Sequence, residues 1–444
     1  MHRLHLVSLG CDKNLVDAEF MLGDLLADGF TFTDDENEAD VIVVNTCCFI
    51  SDAKEESINT ILELAELKKQ GLKALIVTGC LGQRHAEEIL EEIPEVDAVL
   101  GTASRDYIVE AVNSALEGNK TIRRDDLTRL PKEDTSRIIT TSGHYEYLKI
   151  AEGCDKHCTY CIIPGIRGPF RSVPMEALIE EARKLAEKGV KELIIVAQET
   201  TLYGVDLYGK KSLPELLCKL AEIDGIEWIR LQYAYPEEVT DELIKVMSTN
   251  RKILHYIDIP IQHGSDNILK AMGRWTNQAE LRNVIDRLRK AMPDICIRTT
   301  LITGFPGESQ DDFEETYRFV NEIEFDRLGV FTYSQEENTP AADFPNQIDE
   351  EVKEFRRNEI YELQQEIAFE NTEKKIGKVL DVLIDGYLPD EDVYVGRSYM
   401  DAPDVDGMVF VYSDSQLMTG DIVTITVTDA REYDLEGKVN ESAQ

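Results

Sequence analysis

The sequence predicts an α/β chain of three domains: an N-terminal open parallel α/β sheet, a central partial TIM-like (βα)6 barrel and a small C-terminal β-barrel. Three observations predict it. Residues 1–118 alternate short apolar runs with helix-period segments, the order of a parallel sheet. A second alternating series of six such units runs from 146 to about 348. After one long polar-amphipathic helix over 349–375, the pattern changes to short β-rich segments.

In the first domain, HRLHLVSLG, VIVVNT, ALIVTGC and VDAVLG read as strands, and NLVDAEFMLGDLLADG, AKEESINTILELAELKKQG and QRHAEEILEEI as helices. Residues 119–145 are polar and charged and read as a linker. The barrel domain, 146–370, takes its strands from EYLKIAEG, ELIIVAQ, EWIRLQY, HYIDIPI, ICIRTTLITG and RLGVFTYS. GKVLDVLIDGY, DVYVGRSY, GMVFVY and DIVTITVTDA, within 371–444, suit a five-stranded barrel.

A chain of 444 residues is too long for one ordinary core, and its 43% hydrophobic content is that of globular proteins. No apolar run approaches the roughly 20 residues of a membrane span. The start, MHRLHLVSLGC, lacks a signal peptide's apolar core, so a cytoplasmic protein is expected, with no membrane partner. In that reducing compartment nine cysteines read as metal ligands or catalytic groups. The net charge of −39 repels phosphate backbones and attracts basic partners, although solubility alone also accounts for an acidic surface.

The chemistry begins at CDKHCTYC, which places Cys154, Cys158 and Cys161 in a C-x3-C-x2-C array just after a strand, where barrel active sites belong. Structural zinc takes four closed ligands, and a second cysteine pair is missing, so zinc would need His157 or His144. A cubane iron–sulfur cluster held by three thiolates instead leaves one iron open to a small molecule. Downstream, VAQETTLYG ends a strand with Gln198 and Glu199, and TTLITGFPGES places Gly304 and Gly307 between a strand and a helix. Arg298 is a candidate to face a carboxylate.

The array CDKHCTYC resembles the signature of the radical S-adenosylmethionine enzymes. The resemblance implies that Cys154, Cys158 and Cys161 are catalytic cluster ligands. It implies too that the open iron chelates S-adenosylmethionine and that reduction yields a 5′-deoxyadenosyl radical. Gln198 and Glu199 are then expected at the cofactor's amino group, Arg298 at a carboxylate, and Gly304 and Gly307 at its ribose or methionyl part.

The first domain carries further cysteines at strand ends: Cys11 in SLGC, Cys47 and Cys48 in NTCC, and Cys80 in TGC. Ligand sites of open α/β sheets lie outside the carboxyl ends of strands, so three thiols converge on one rim. Cys48 alternates with Cys47 and is expected to pack elsewhere, as are Cys218 and Cys296. Two three-thiol sites followed by a small β-barrel resemble the methylthiotransferase family, over essentially the whole chain. The resemblance implies a second 4Fe-4S cluster on Cys11, Cys47 and Cys80, which delivers sulfur. It also implies a second S-adenosylmethionine as methyl donor, a TRAM domain at the C-terminus, and an electron donor such as flavodoxin or ferredoxin.

Two branches of that family differ in substrate: an adenosine of tRNA, or an aspartate β-carbon of small-subunit ribosomal protein twelve. SLGCDKNLVDAE, CIIPGIRGPFRS, DIPIQHGSDNILKAMGR, FTYSQEENTPAA and GRSYMDAPDVDG resemble the protein-modifying branch. From Asn371 onward sixteen Asp/Glu stand against six Lys/Arg, a net −10, which disfavours tRNA and suits a basic ribosomal protein. Asp401, Asp404 and Asp406 are expected on that acidic surface, and Arg167 and Arg171 are candidates to hold an acidic substrate side chain. A zinc-binding RNA module and an iron–sulfur electron carrier are the alternatives from other classes.

Overall fold

The computed structural model describes residues 2–131 and 137–440. Part of the expected linker, 132–136, lies outside the described residues.

The first domain runs β1 (Arg3–Ser8), α1 (Asp12–Ala27), β2 (Thr31–Phe32), β3 (Val41–Thr46), α2 (Ser51–Ala65), β4 (Ala74–Gly79), α3 (Cys80–Glu92), β5 (Ala98–Leu100), α4 (Ile108–Leu116) and β6 (Thr121–Arg123). The six strands form one sheet in the order β2-β1-β3-β4-β5-β6, parallel throughout. β3 and β4 are buried along their whole length because helices cover both faces. β6 corrects the expected linker: Thr121–Arg123 pairs with β5 and extends the sheet.

The central domain runs β7 (Tyr145–Lys149), β8 (Ala151–Glu152), α5 (Ile163–Arg167), β9 (Arg171–Ser172), α6 (Met175–Glu187), β10 (Glu192–Val196), α7 (Val205–Tyr208), α8 (Leu213–Ala221), β11 (Trp228–Leu231), α9 (Asp241–Thr249), β12 (Ile253–Asp258), α10 (Asp266–Ala271), α11 (Gln278–Ala291), β13 (Cys296–Thr303), α12 (Gln310–Ile323) and β14 (Arg327–Thr332). Its six long strands form a parallel sheet in the order β14-β13-β12-β11-β10-β7, with β8 and β9 as a separate two-stranded pair. All six expected barrel strands are present. Helix α13 (Glu350–Glu373) then packs against β14 and leads to β15 (Val379–Leu388), β16 (Val393–Arg397), β17 (Val409–Tyr412), β18 (Ile422–Arg431) and β19 (Asp434–Val439). These five close into a barrel.

The two faces of the central sheet have different neighbours. Ile195, Ile229, Ile257 and Ile297 pack on the helices. The opposite face is covered by the flanking domains. Val16 and Phe20 of α1 lie on Tyr145, Tyr147, Ile194 and Val196. Trp228, Leu254, Tyr256 and Cys296 pack on Val382, Leu383, Ala402 and Val409 of the C-terminal barrel.

The acidic run expected on the surface is largely inside this second contact. Asp401 is 1% exposed and accepts from Arg327 Nη2 at 2.7 Å. Asp406 accepts from the Tyr256 hydroxyl at 2.8 Å and lies 3.4 Å from Arg298 Nε. Only Asp404 of the three is exposed. The sequence shows a run of acids; their partners lie more than 70 residues away. Beside them Glu192, fully buried, lies 2.7 Å from Arg230 and 2.5 Å from Arg397. His144 Nε2 lies 2.6 Å from Asp385 Oδ1, which sets it in this interface and not beside a cysteine.

Replacing Asp401 would therefore leave Arg327 buried without its carboxylate. Asp401→Ala is expected to cost about 3–5 kcal/mol, read as a fall in the unfolding midpoint. An unchanged midpoint would mean that the pair carries no load.

Candidate functional site

Gly10 takes a left-handed φ of +89°, and a Cβ there would sit 2.7 Å from the Cys47 Cβ. Its bare backbone lets the β1 and β3 ends approach, which brings Cys11 toward Cys47. Asn14 holds the same corner: its Nδ2 donates to the carbonyls of Leu9 at 2.9 Å and Thr46 at 3.0 Å. Cys80 starts α3, and its thiol donates to Asn14 Oδ1 at 3.8 Å. After burial, Cys11 raises the Cys47 thiol, and Cys47 and Cys11 raise that of Cys80, so the three stand near one another. Burial pushes the Cys80 thiol up to about 12, against the opposing pull of Arg167. Cys48 is fully buried in the apolar core beside Arg84.

The second trio follows β8. Lys156 N donates to Cys154 Sγ at 3.4 Å, and the Tyr235 hydroxyl lies 3.7 Å from Cys158 Sγ. Cys158 and Cys154 act on Cys161, whose thiol burial pushes up to about 12. All nine cysteines are free. Among the described residues no group of three or more His, Cys, Asp or Glu is placed to hold a single metal ion. His157 is exposed, and Cys296 donates to the Met400 carbonyl at 3.5 Å, away from either trio. Cys218 is a half-buried residue of α8.

Glu199 stands beside the second trio and acts electrostatically on Cys154. It is fully buried; one oxygen accepts from Thr201 N at 2.8 Å and the other has no partner. Burial pushes its carboxyl up to about 7, only partly opposed by Thr201 and Lys156. Gln198 Nε2 donates to Glu152 Oε1 at 3.0 Å, and its own oxygen is buried without a partner. These free acceptors at a strand end can take a donor-rich or cationic ligand group.

Two expected ligand contacts are explained within the protein. Arg298 is the third residue of β13, not its end, and its cation is shared between Asp258 Oδ1 at 3.2 Å and Asp406 at 3.4 Å. Gly304 has φ +72°, and a Cβ would meet Lys353 Cγ at 2.1 Å, so helix α13 already fills that space. Gly307 N donates to the Asn346 carbonyl at 2.9 Å.

Between the trios lies a buried charge network that sequence reasoning missed apart from Arg167. Asp17 of α1 accepts from Arg105 at 2.9 Å, from Arg167 at 2.7 Å and from Lys149. Lys149 also donates to Glu152 at 2.8 Å. Against the burial that would raise it, Lys149, Arg167 and Arg105 hold the Asp17 carboxyl well below the carboxylate range. Arg167 is thus satisfied by protein carboxylates, while Arg171 donates to the carbonyls of Pro169 and Arg167 and, among the described residues, keeps a buried Nε without a partner. One signal was available: Lys149 and Glu152 stand three residues apart, just before Cys154. A second bridge joins the segment after β11 to α1. Tyr233, at φ +56°, donates to Asp12 at 3.3 Å beneath Lys13, whose Nζ lies 3.2 Å from the ring centroid. A bulky residue in that left-handed conformation is strained and is held there by its surroundings.

The chain matches three family models: an uncharacterized family, UPF0004, over residues 3–101, the radical SAM superfamily over 148–320, and the TRAM domain over 376–439. It is 61% identical over 436 residues to ribosomal protein uS12 methylthiotransferase RimO of Lachnoclostridium phytofermentans, covering 98% of this chain and 99% of that one. The chain belongs to the RimO family. A second member, from Clostridioides difficile, is 52% identical, covering 99% of each chain. Among solved structures, the radical S-adenosylmethionine methyltransferase TsrM of Kitasatospora setae shares the fold. Its TM-score is 0.54 at 12% identity, covering 86% of this chain and 78% of that one. No helix among the described residues is long and apolar enough to cross a membrane.

Removing Asp17 leaves three buried cations facing one another. Asp17→Ala is expected to cost about 3–5 kcal/mol and to speed amide hydrogen exchange in α1 and β7 together. Faster exchange in α1 alone would show that the network does not join the domains.

Proposed function

We propose that this chain is a radical S-adenosylmethionine methylthiotransferase that attaches a methylthio group to the β-carbon of an aspartate in ribosomal protein uS12. The observation that carries the reading is the juxtaposition of two cysteine trios. They follow strands of separate α/β domains, and a buried network runs from Cys80 through Arg167 to Glu152, two residues before Cys154. Full-length identity with curated uS12 methylthiotransferases supports that substrate over tRNA.

Cys154, Cys158 and Cys161 would hold one 4Fe-4S cluster, and Cys11, Cys47 and Cys80 the other. The donor sets fit: free, mostly buried thiols, three to a site, leaving one iron of a cubane without a protein ligand. When bound, these groups supply one-electron cleavage of S-adenosylmethionine at the first site and sulfur at the second. The unpartnered Glu199 oxygen would accept from the cofactor's ammonium, with Gln198 held beside it by Glu152. Gly304 and Gly307 would shape the adjoining turn without touching the cofactor through side chains.

The exposed acids of the C-terminal barrel, Asp390, Glu391, Asp392, Asp414 and Asp429, would meet the basic ribosomal protein, in place of the buried Asp401 and Asp406. The same charges would disfavour tRNA. A flavodoxin or ferredoxin would supply the electron, in the cytoplasm.

The reading is tested on anaerobically reconstituted protein. Changing Cys154, Cys158 and Cys161 to Ala is expected to halve bound iron and abolish 5′-deoxyadenosine formation. Changing Cys11, Cys47 and Cys80 is expected to halve iron and keep cleavage, with methylthio transfer to uS12 lost by mass spectrometry. Methylthio-adenosine in tRNA would overturn the substrate assignment.

Glu199→Gln removes a charge-assisted hydrogen bond and is expected to weaken cofactor binding about 10- to 100-fold. In the parent, affinity should fall as the pH drops through about 7, where the raised carboxyl takes up its proton. The variant should lose that dependence. An identical pH profile in both would remove Glu199 from the cofactor site.

A further inference from the structure

Arg167 closes the short helix α5, six residues after Cys161, yet its side chain lies in the first domain's rim. It is 2% exposed. Nη1 donates to Asp17 Oδ2 at 2.7 Å and lies 3.3 Å from Glu152 Oε2. Nη2 donates to Asn14 Oδ1 and, at 3.6 Å, to Cys80 Sγ. One edge of the guanidinium thus faces carboxylates and the other faces a sulfur. Glu152 in turn accepts from Gln198, beside Glu199. The path from Cys80 to the strand end beside the other trio is therefore Arg167, Glu152, Gln198, each link a hydrogen bond.

We propose that Arg167 is a positioning residue for sulfur transfer: it fixes the Cys80 sulfur and sets the reduction potential of the group held by Cys11, Cys47 and Cys80. The inference rests on the reading that this trio holds an iron–sulfur cluster. A guanidinium is permanently charged and its donors are splayed in a rigid plane, so it can serve Asp17 and Cys80 at once. Hydrogen bonds to ligand sulfur and nearby positive charge stabilise the reduced form of a cluster and raise its potential. Lysine would keep the charge but has a single ammonium on a flexible stem, and cannot span both partners in one geometry. Because Arg167 is carried by the segment that follows the C-x3-C-x2-C loop, it also ties the placement of one site to the other.

The test uses the full chain with Cys154, Cys158 and Cys161 changed to Ala, so that the remaining iron belongs to the first-domain trio. Reduction is followed by electron paramagnetic resonance during a redox titration. Arg167→Gln is expected to keep its iron and titrate at a more negative potential than its parent, with an altered signal. Arg167→Lys should fall between the two. Arg105→Lys, at a residue that touches Asp17 but is not hydrogen-bonded to Cys80, should leave the midpoint in place. If Arg167→Gln and Arg167→Lys both titrate with the parent, or if Arg105→Lys shifts the midpoint as far as they do, the proposal falls. Should Arg167→Gln not fold, the Lys variant against the Arg105→Lys control decides. Cys80→Ala in the same background separates the two readings. Loss of iron keeps Cys80 as a ligand, whereas full iron retention overturns the cluster assignment on which the inference stands.

Discussion

Asp17 is a carboxylate that cannot be buried alone. Removing an ion from water costs several kcal/mol even after the protein relaxes, and the cost is offset only by close partners and complete hydrogen bonding. Here three partners come from two domains: Arg105 from the first, and Lys149 and Arg167 from the second. No one domain completes the set. The docking of the two domains is therefore a condition for keeping these charges both buried and paired.

The same logic recurs at the other end of the central sheet. An open six-stranded sheet has one face against its helices and one face without a cover of its own. Helix α1 covers part of that face, and the loop between β16 and β17 covers another part. Apolar contact supplies the area, while Glu192 with Arg230 and Arg397, and Asp401 with Arg327, fix the register. Buried pairs of this kind add little net stability compared with apolar packing, yet each is costly to break singly. They select one docking geometry and penalise near alternatives.

Much of this was legible in the sequence. The alternation of strands and helices and the placing of Cys11, Cys47 and Cys80 after strands were readable because strand ends are local features. The C-x3-C-x2-C array is local as well. What was misread depended on pairing across long stretches of chain. Arg298 and Asp406 are more than a hundred residues apart and satisfy each other, so a candidate ligand contact and a supposed surface acid are one interior pair. Asp17 lies on a helix of the first domain, and two of its three cationic partners, Lys149 and Arg167, come from the second. Gly304 suggested room for a ligand, but the space belongs to Lys353 of a helix that returns some fifty residues later. The strand β6 was too short, at three residues, to stand out from a polar segment.

The loop from Ser398 to Met408 has one more consequence. With Asp401 locked to Arg327, and Asp406 to Arg298 and Tyr256, it packs firmly on the central sheet. Breaking either pair would strand a charge in the interior. The C-terminal barrel is thus bolted to the central domain and not merely tethered to it through α13.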